Sequence, residues 1–368
     1  MKFIINQSKL SNHISIVQKA VSSRSTLKIL EGILLTVKDN KLKLTGTDSE
    51  VISIETFLDC QAIEEGSIVI NSRIFGDVIR KLPNSDVHIE VNNNMVNIKC
   101  ENSEFNIIGN DGNEYPQIPI FVEQKSINIP KDLLKNSIRQ TSFAVSLDVN
   151  RKVLTGIYFE LKKNILSMVA LDGYRLSRKK IPMNTDLEFE AIIPGKAMNE
   201  LYKILDDGDE DIVVNIAESN ISFETGSTIF YSQLIDGQYF SYEDILRSNH
   251  ETTVIANRRE LQNSIERASL LAKEEKANLI KFSIEDSKLT INSNTEIGNV
   301  HEELMTEKTG SDLSIAFNSK YILDGIKNMD SDSIKLHFLD NLNPCIIEGV
   351  EIDNYTYLVL PVRLAADE

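Results

Sequence analysis

The chain is poor in cysteine, has no long hydrophobic run and is short of positive charge, and each shortage excludes something. Its three cysteines, Cys60, Cys100 and Cys345, lie far apart and form no C-x-x-C pair, so buried free thiols are expected. The five histidines (His13, His88, His250, His301, His337) are equally scattered. His301-Glu302-Glu303 begins like a zincin helix, but Met305 stands where the second histidine belongs. No metal and no cofactor are expected. No apolar run approaches the roughly 18 residues that span a bilayer. Met1-Lys2-Phe3-Ile4-Ile5-Asn6 turns polar too early for a signal peptide. A cytoplasmic protein with no membrane partner is expected. Phosphate-cradling G-x-x-x-x-G-K-[ST] and G-x-G-x-x-G loops are missing, as is a G-x-S-x-G elbow. The acidic run Asp206-Asp207-Gly208-Asp209-Glu210-Asp211 falls in a turn, where solvated charge is a better reading than a cation site. No catalytic residue is expected.

Basic residues number 39 against 55 acidic, a net charge of −16. Taken alone this opposes nucleic-acid binding, which wants an electropositive face. The total misleads if the signs are segregated. A length of 368 residues suits two or three domains, and 41% hydrophobic with 26% charged residues is ordinary for a soluble protein.

What is present is repetition. Leu10-Ser-Asn12-His-Ile14 returns as Leu134-Lys-Asn136-Ser-Ile138 and as Leu261-Gln-Asn263-Ser-Ile265, at offsets of 124 and 127 residues. Each copy follows a short apolar strand: Phe3–Ile5, Ile127–Ile129 and Val254-Ile255. A second helix-like stretch opens at Ser72, Gly195 and Ser319, at offsets of 123 and 124, and ends with Arg80, Lys203 and Lys327 at matching places. Two markers agreeing on one spacing identify a triplication. Boundaries near 118–125 and 246–253 give repeats of 1–122, 123–250 and 251–368. Hairpins such as Val87–Val91 turning through Asn92-Asn93-Asn94 alternate apolar and polar residues, the mark of half-buried antiparallel strands. Each repeat therefore reads as two helices packed on antiparallel sheets, an α+β class. Leu10, Ile14, Val17 and Val21 share one helix face, as do Leu134, Ile138 and Thr141, and Leu261, Ile265 and Ala268. Pro130 suits a first helical turn.

The repeat predicts six helices, over 8–24, 72–82, 130–142, 194–205, 257–273 and 318–329, with 17 basic and 6 acidic residues between them. The remainder holds 22 basic and 49 acidic residues. An acidic protein thus carries basic helices, the same two in every copy. Repeats set edge to edge with helices inward would line a hole. Two copies would supply twelve such helices, and twelve about 9 Å apart, less a helix radius of about 5 Å per side, leave room for a duplex. Lysines and arginines there would touch phosphates without reading bases, which permits sliding.

Arg24-Ser-Thr26-Leu27-Lys-Ile29-Leu30, Gly46-Thr-Asp48-Ser-Glu50, Leu171-Asp172-Gly173-Tyr174-Arg175-Leu176 and Tyr357-Leu-Val-Leu-Pro361-Val-Arg363-Leu364 resemble the β subunit of bacterial DNA polymerase III, the sliding clamps, along the whole chain. The resemblance implies a non-catalytic processivity subunit and a ring-forming clamp fold of three similar domains. It implies a head-to-tail homodimer around duplex DNA. The partners it implies are the replicative polymerase, the clamp loader, repair polymerases and mismatch-repair proteins. By position it carries DNA contacts to Arg24, Arg151 and Lys152. The helix bias adds Arg73, Arg80, Lys135, Arg139, Lys196, Lys203, Lys320 and Lys327. A partner-peptide pocket would comprise Leu154, Gly173, Tyr174, Arg175, Leu176, Ile245, Leu342, Leu358, Val359, Leu360, Pro361, Val362, Arg363 and Leu364. The dimer interface would bring Phe105 and Ile107 to Leu270 and Leu271 of the other subunit. Tyr239-Phe240 replaces a proline common in the family after Asp236-Gly237, and Asp244 replaces a nearby basic residue; both bear on peptide preference. So does the tail after Leu364.

The rival readings are an enzyme, a repeat scaffold that never meets DNA, and the two-domain trimeric clamp of archaea and eukaryotes. An enzyme would have to explain why three copies share a scaffold but no acid or base. The helix charge opposes the scaffold, and the threefold repeat opposes the two-domain clamp.

Overall fold

The computed structural model describes residues 1–22, 25–118, 125–246, 249–274, 277–350 and 354–363. Alternating side chains produce the strands and three-to-four spacing the helices, in the same order three times over. The first repeat runs β1 (Lys2–Asn6), α1 (Gln7–Val17), β2 (Gly32–Lys38), β3 (Lys41–Thr47), β4 (Ile52–Asp59), β5 (Gln61–Glu64), β6 (Gly66–Asn71), α2 (Ser72–Lys81), β7 (Asp86–Asn92), β8 (Met95–Cys100), β9 (Ser103–Ile108) and β10 (Asn110–Asp111). The second runs β11 (Lys125–Pro130), α3 (Lys131–Thr141), β12 (Gly156–Lys162), β13 (Ile165–Leu171), β14 (Arg175–Pro182), β15 (Phe189–Pro194), α4 (Gly195–Ile204), β16 (Asp211–Ile216), β17 (Asn220–Thr225), β18 (Thr228–Gln233) and a short α5 (Glu243–Leu246). The third runs β19 (Thr252–Asn257), α6 (Arg258–Ala272), β20 (Leu279–Glu285), β21 (Lys288–Thr295), β22 (Gly298–Met305), β23 (Glu307–Thr309), β24 (Leu313–Asn318), α7 (Ser319–Lys327), β25 (Ser333–Phe338), β26 (Cys345–Gly349) and β27 (Tyr355–Val359).

Helix starts are set by one residue type per repeat. Asn6, Asn71, Asn257 and Asn318 accept from backbone N–H groups of the first turns of α1, α2, α6 and α7, the ordinary N-cap. In the second repeat Pro130 and Pro194 stand immediately before α3 and α4. Pro130 thus closes β11 instead of entering the helix. The first helix is shorter than expected, ending at Val17 and not at residue 24. Lys19 and Ala20 bond back three residues instead of four, and the following serine-rich stretch has little helix propensity. Leu10, Ile14 and Val17 are buried as their spacing requires, as are Leu134, Ile138, Thr141, Leu261, Ile265 and Ala268.

The chain forms two compact units, Met1–Leu134 with Lys196–Leu234, and Lys135–Gly195 with Ile235–Glu368. The first holds a five-stranded sheet, β5-β1-β7-β8-β9, and a nine-stranded one, β10-β6-β2-β3-β4-β18-β17-β16-β11. The second holds a nine-stranded sheet, β15-β12-β13-β14-β27-β26-β25-β19-β23, and a four-stranded one, β22-β21-β20-β24. Each large sheet is two smaller ones fused where the last strand of one repeat pairs with a middle strand of the repeat before it. β18 pairs antiparallel with β4, Thr228 opposite Thr56, and β27 pairs with β14, Tyr355 opposite Lys179. The first fusion also joins the Thr56 and Thr228 hydroxyls at 3.0 Å, and in the second Arg178 donates to Thr356 at 3.0 Å.

Candidate functional site

Three groups of residues carry the expected chemistry. Within the observed bounds the six long helices hold fourteen Lys/Arg and six Asp/Glu. The bias is smaller than over the longer predicted spans, because Lys19 and Lys273 fall just past helix ends and Arg24 lies outside the described residues, but its sign holds.

The candidate DNA contacts divide by what else they touch. Arg73, Lys152 and Lys320 are exposed, and Lys135 is half-buried. Arg80, Lys203 and Arg151 make surface pairs one turn away, with Asp77 (3.1 Å), Glu200 (2.7 Å) and Asp148 (3.8 Å). Such pairs are weak and open readily to a phosphate. Lys327 reaches Glu266 of α6 at 2.9 Å. Lys196 holds Asp48 at 2.8 Å. Arg139 is more structural: it bonds Asp330 at 2.6 Å and Asn136 on its own helix, tying α3 to the turn after α7. Arg24 lies outside the described residues. Lys131, counted in the helix bias, is buried and caged by Asp206 (2.9 Å) and Glu210 (3.4 Å). The acidic turn thus has a structural task in holding that ammonium.

The proposed pocket residues lie within one unit. Tyr174, Ile245, Leu342 and Leu360 are its exposed apolar members, with Gly173 and Arg363 also exposed. Leu154, Pro361 and Val362 are half-buried, while Leu176, Leu358 and Val359 belong to the buried core. Leu364 lies outside the described residues. Asp172 turns the chain here by accepting from the N–H groups of Tyr174 (2.9 Å) and Arg175 (3.1 Å). Asp48 does the same for Val51 and Ile52 in the first repeat. The Leu360 N–H then donates to the Tyr174 carbonyl at 2.8 Å, which draws the C-terminal segment onto this turn.

Arg175 is not a rim residue. Its side chain is 9% exposed and bonds Asp172 (3.0 Å), Asp324 (2.6 Å) and the Phe143 carbonyl (2.9 Å). The guanidinium lies 4.8 Å from the Tyr321 ring centroid and 5.4 Å from that of Phe143, within cation–π range. Tyr174 stacks on Tyr321 at 5.8 Å. The sequence reading did not single out Tyr321, Phe143 or Asp324; only Asp172, three residues from Arg175, could have been found by spacing. Below the rim, Tyr239 stacks on Tyr158 at 4.7 Å, with Tyr242 edge-on at 6.3 Å. The Tyr242 hydroxyl donates to Glu160 at 2.7 Å. Burial pushes the Tyr231 and Tyr115 phenols elsewhere in the chain up to about 12, so both stay neutral donors. Tyr239, in place of the family proline, is therefore a core member, whereas Phe240 and Asp244 are exposed.

The equivalent place in the first repeat also holds a cavity. It measures about 190 Å³ and is lined by Ser49, Glu50, Gln117 and Asn220 together with Val51, Ile52 and Pro116.

The residues expected at a dimer interface lie on or beside the outer strands of the two smaller sheets. Phe105 and Ile107 lie on β9, the outer strand of the five-stranded sheet, and Phe105 is 40% exposed. Leu270 and Leu271 end α6, which packs on β21 and β22, the latter the outer strand of the four-stranded sheet. Leu270 is 65% exposed. Among the described residues no cluster of His, Cys, Asp and Glu could hold a metal, and no helix is long and apolar enough to cross a membrane.

Comparison with known proteins shows the family. Family models for the DNA polymerase III beta subunit match in order: the N-terminal domain over residues 1–119, the central domain over 128–240 and the C-terminal domain over 243–363. The chain is 38% identical over 377 residues to the beta sliding clamp of Bacillus subtilis, covering 99% of this chain and 100% of that one. The crystal structure of the DNA polymerase sliding clamp from Bacillus subtilis superposes with a TM-score of 0.96 at 37% identity, covering 99% of this chain and 100% of that one. That of a putative DNA polymerase III beta subunit from Eubacterium rectale gives 0.95 at 38% identity, with the same coverage.

Proposed function

Since the chain belongs to the DNA polymerase III beta subunit family, the bacterial sliding clamps, we propose that it works as a head-to-tail dimeric ring around duplex DNA. Bound there, it would tether the replicative polymerase and recruit a clamp loader, repair polymerases and mismatch-repair proteins through the rim around Tyr174, Leu342 and Leu360. It performs no chemistry of its own in this reading. The observation that carries it is the pair of unfused sheets. Both nine-stranded sheets arise where repeats meet, and the two left over, of five and four strands, end on β9 and β22. These are the strands equivalent to those fused elsewhere, so a second copy would complete the pattern at both ends. Head-to-tail contacts of this kind close when the rotation allows.

The basic helices support the DNA side of the proposal, and the acidic remainder supports confinement of DNA to one surface. Retention on a nicked circular plasmid, loaded with a bacterial clamp loader and ATP, tests it. Retention on the circle that vanishes on linearisation is the expected outcome. Equal retention on both forms would mean ordinary surface binding, and none on either would return the chain to the scaffold reading.

A further inference from the structure

We infer that Glu104 of one protomer docks directly against His301 of a second copy, so that ring closure is favoured by a protonated imidazole and loosens as pH rises. The inference rests on the dimer proposed above and gives it a register and a regulator.

The register follows from the repeat. Asp59, Pro182 and Met305 are equivalent, because each pairs with the first residue of the preceding strand: Lys41, Ile165 and Lys288. Three residues back, Thr56, Lys179 and Glu302 are therefore equivalent. Ser103, Thr228 and Tyr355 are likewise equivalent as the first residues of β9, β18 and β27. Thr228 stands opposite Thr56 and Tyr355 opposite Lys179, so both internal fusions share one register. Carried to the free edges, that register puts Ser103 opposite Glu302, Glu104 opposite His301, Phe105 opposite Val300 and Asn106 opposite Asn299. Residues directly opposite in an antiparallel pair share a face, with Cβ atoms about 5 Å apart. The internal counterpart of Glu104–His301 is Thr356–Arg178, which is a direct hydrogen bond.

The charges at this seam are arranged for a titratable contact. On one side Glu104 pairs with Lys99 at 3.2 Å, and Asn97 donates to it at 2.7 Å. Hydrogen bonds from Asn97 and then Lys99 hold its carboxyl below the usual range, so it meets the partner ionised. His88 lies beyond Lys99 in the same row. On the other side the His301 Nδ1 lies 2.7 Å from Asn292 Oδ1 and its Nε2 3.0 Å from Glu303 Oε1. Glu303 also pairs with Lys288, and Lys281 lies beyond Asn292. Glu302 turns to the helix face, where Arg267 binds it. Docking thus sets a second carboxylate beside one ring. A neutral imidazole leaves Glu104 and Glu303 as like charges across the seam, whereas an imidazolium sets a positive charge beside both and adds affinity. By linkage the extra affinity is present at low pH and is lost as pH rises through the imidazole range.

Dimer dissociation constants from sedimentation or subunit exchange at about pH 6 and about pH 8 test this. The wild-type chain should associate about tenfold more tightly at the lower pH, because a ring holds two such contacts of ordinary exposed strength. His301→Gln and Glu104→Gln should each flatten the ratio, and the double variant no further than either. His88→Gln should leave it intact. A wild-type ratio retained in His301→Gln overturns the inference, as does a ratio lost in His88→Gln. The register has its own readout: Asn106→Cys with Asn299→Cys should cross-link into a covalent dimer on oxidation. A protein that dimerises without that cross-link overturns the register. A chain that stays monomeric at both pH values overturns the dimer itself.

Discussion

Arg175 holds two carboxylates from opposite directions, Asp172 on its own turn and Asp324 on α7. Arg175→Met would leave both without their cation in a poorly hydrated place. A destabilisation of about 2 to 3 kcal/mol is expected, below the full cost of a buried pair because Asp324 is partly exposed, read as a lowered urea midpoint. Asp48 offers a pH test at the same scale. Burial opposes its charge, but backbone N–H groups of Ile52 and Val51 and the Lys196 ammonium outweigh it and hold the carboxyl below its ordinary value. Its stabilising share is therefore full above the ordinary carboxylate range and is lost as pH falls through the lowered value. Asp48→Asn should be less stable than wild type at pH 7, with the gap closing in acid. Part of this was legible in the sequence. Asp48 and Asp172 begin matching turns, but Asp324 is 149 residues from Arg175, and no local spacing announces so distant a partner.

At the scale of elements, α7 lies against β27 through a glycine. A Cβ on Gly325 would meet the Tyr357 ring at 2.2 Å. Gly325→Ala should wedge helix and strand apart, costing about 1 to 3 kcal/mol. It should also weaken partner-peptide binding in a titration, since β27 leads directly into Leu360 at the proposed rim. The helices as a set make a separate prediction. Reversing Arg80, Lys203 and Lys327 together should shorten DNA retention and flatten its salt dependence without changing the dimer fraction; unchanged retention would refute the inward-facing arrangement. Helix positions were readable because their apolar faces repeat three times, and the α1 stop was not. Its window kept an apolar rhythm to Val21, while the backbone had already tightened at Ala20.

For the whole molecule, Leu360→Ala combined with removal of residues 361–368 should abolish polymerase binding in a pull-down and leave the ring assembled. Polymerase binding at the wild-type level would show that the rim is elsewhere. The triplication and its α+β class were plain in the sequence, because spacing is a one-dimensional property. The fused sheets were not. Which strand continues which sheet is decided by pairing between β4 and β18, and between β14 and β27, and a strand's own alternation is the same whether its edge is free or covered.

That stitching bears on how the chain is made. β4 is complete by Asp59, yet the strand that covers it begins at Thr228. On a ribosome, roughly 170 residues at 5 to 20 per second leave that edge bare for about ten seconds or more. Contacts so distant in sequence fold slowly, and a bare edge invites pairing with any neighbouring strand. Nascent chains arrested before Thr228 should therefore need a chaperone that the finished protein does not.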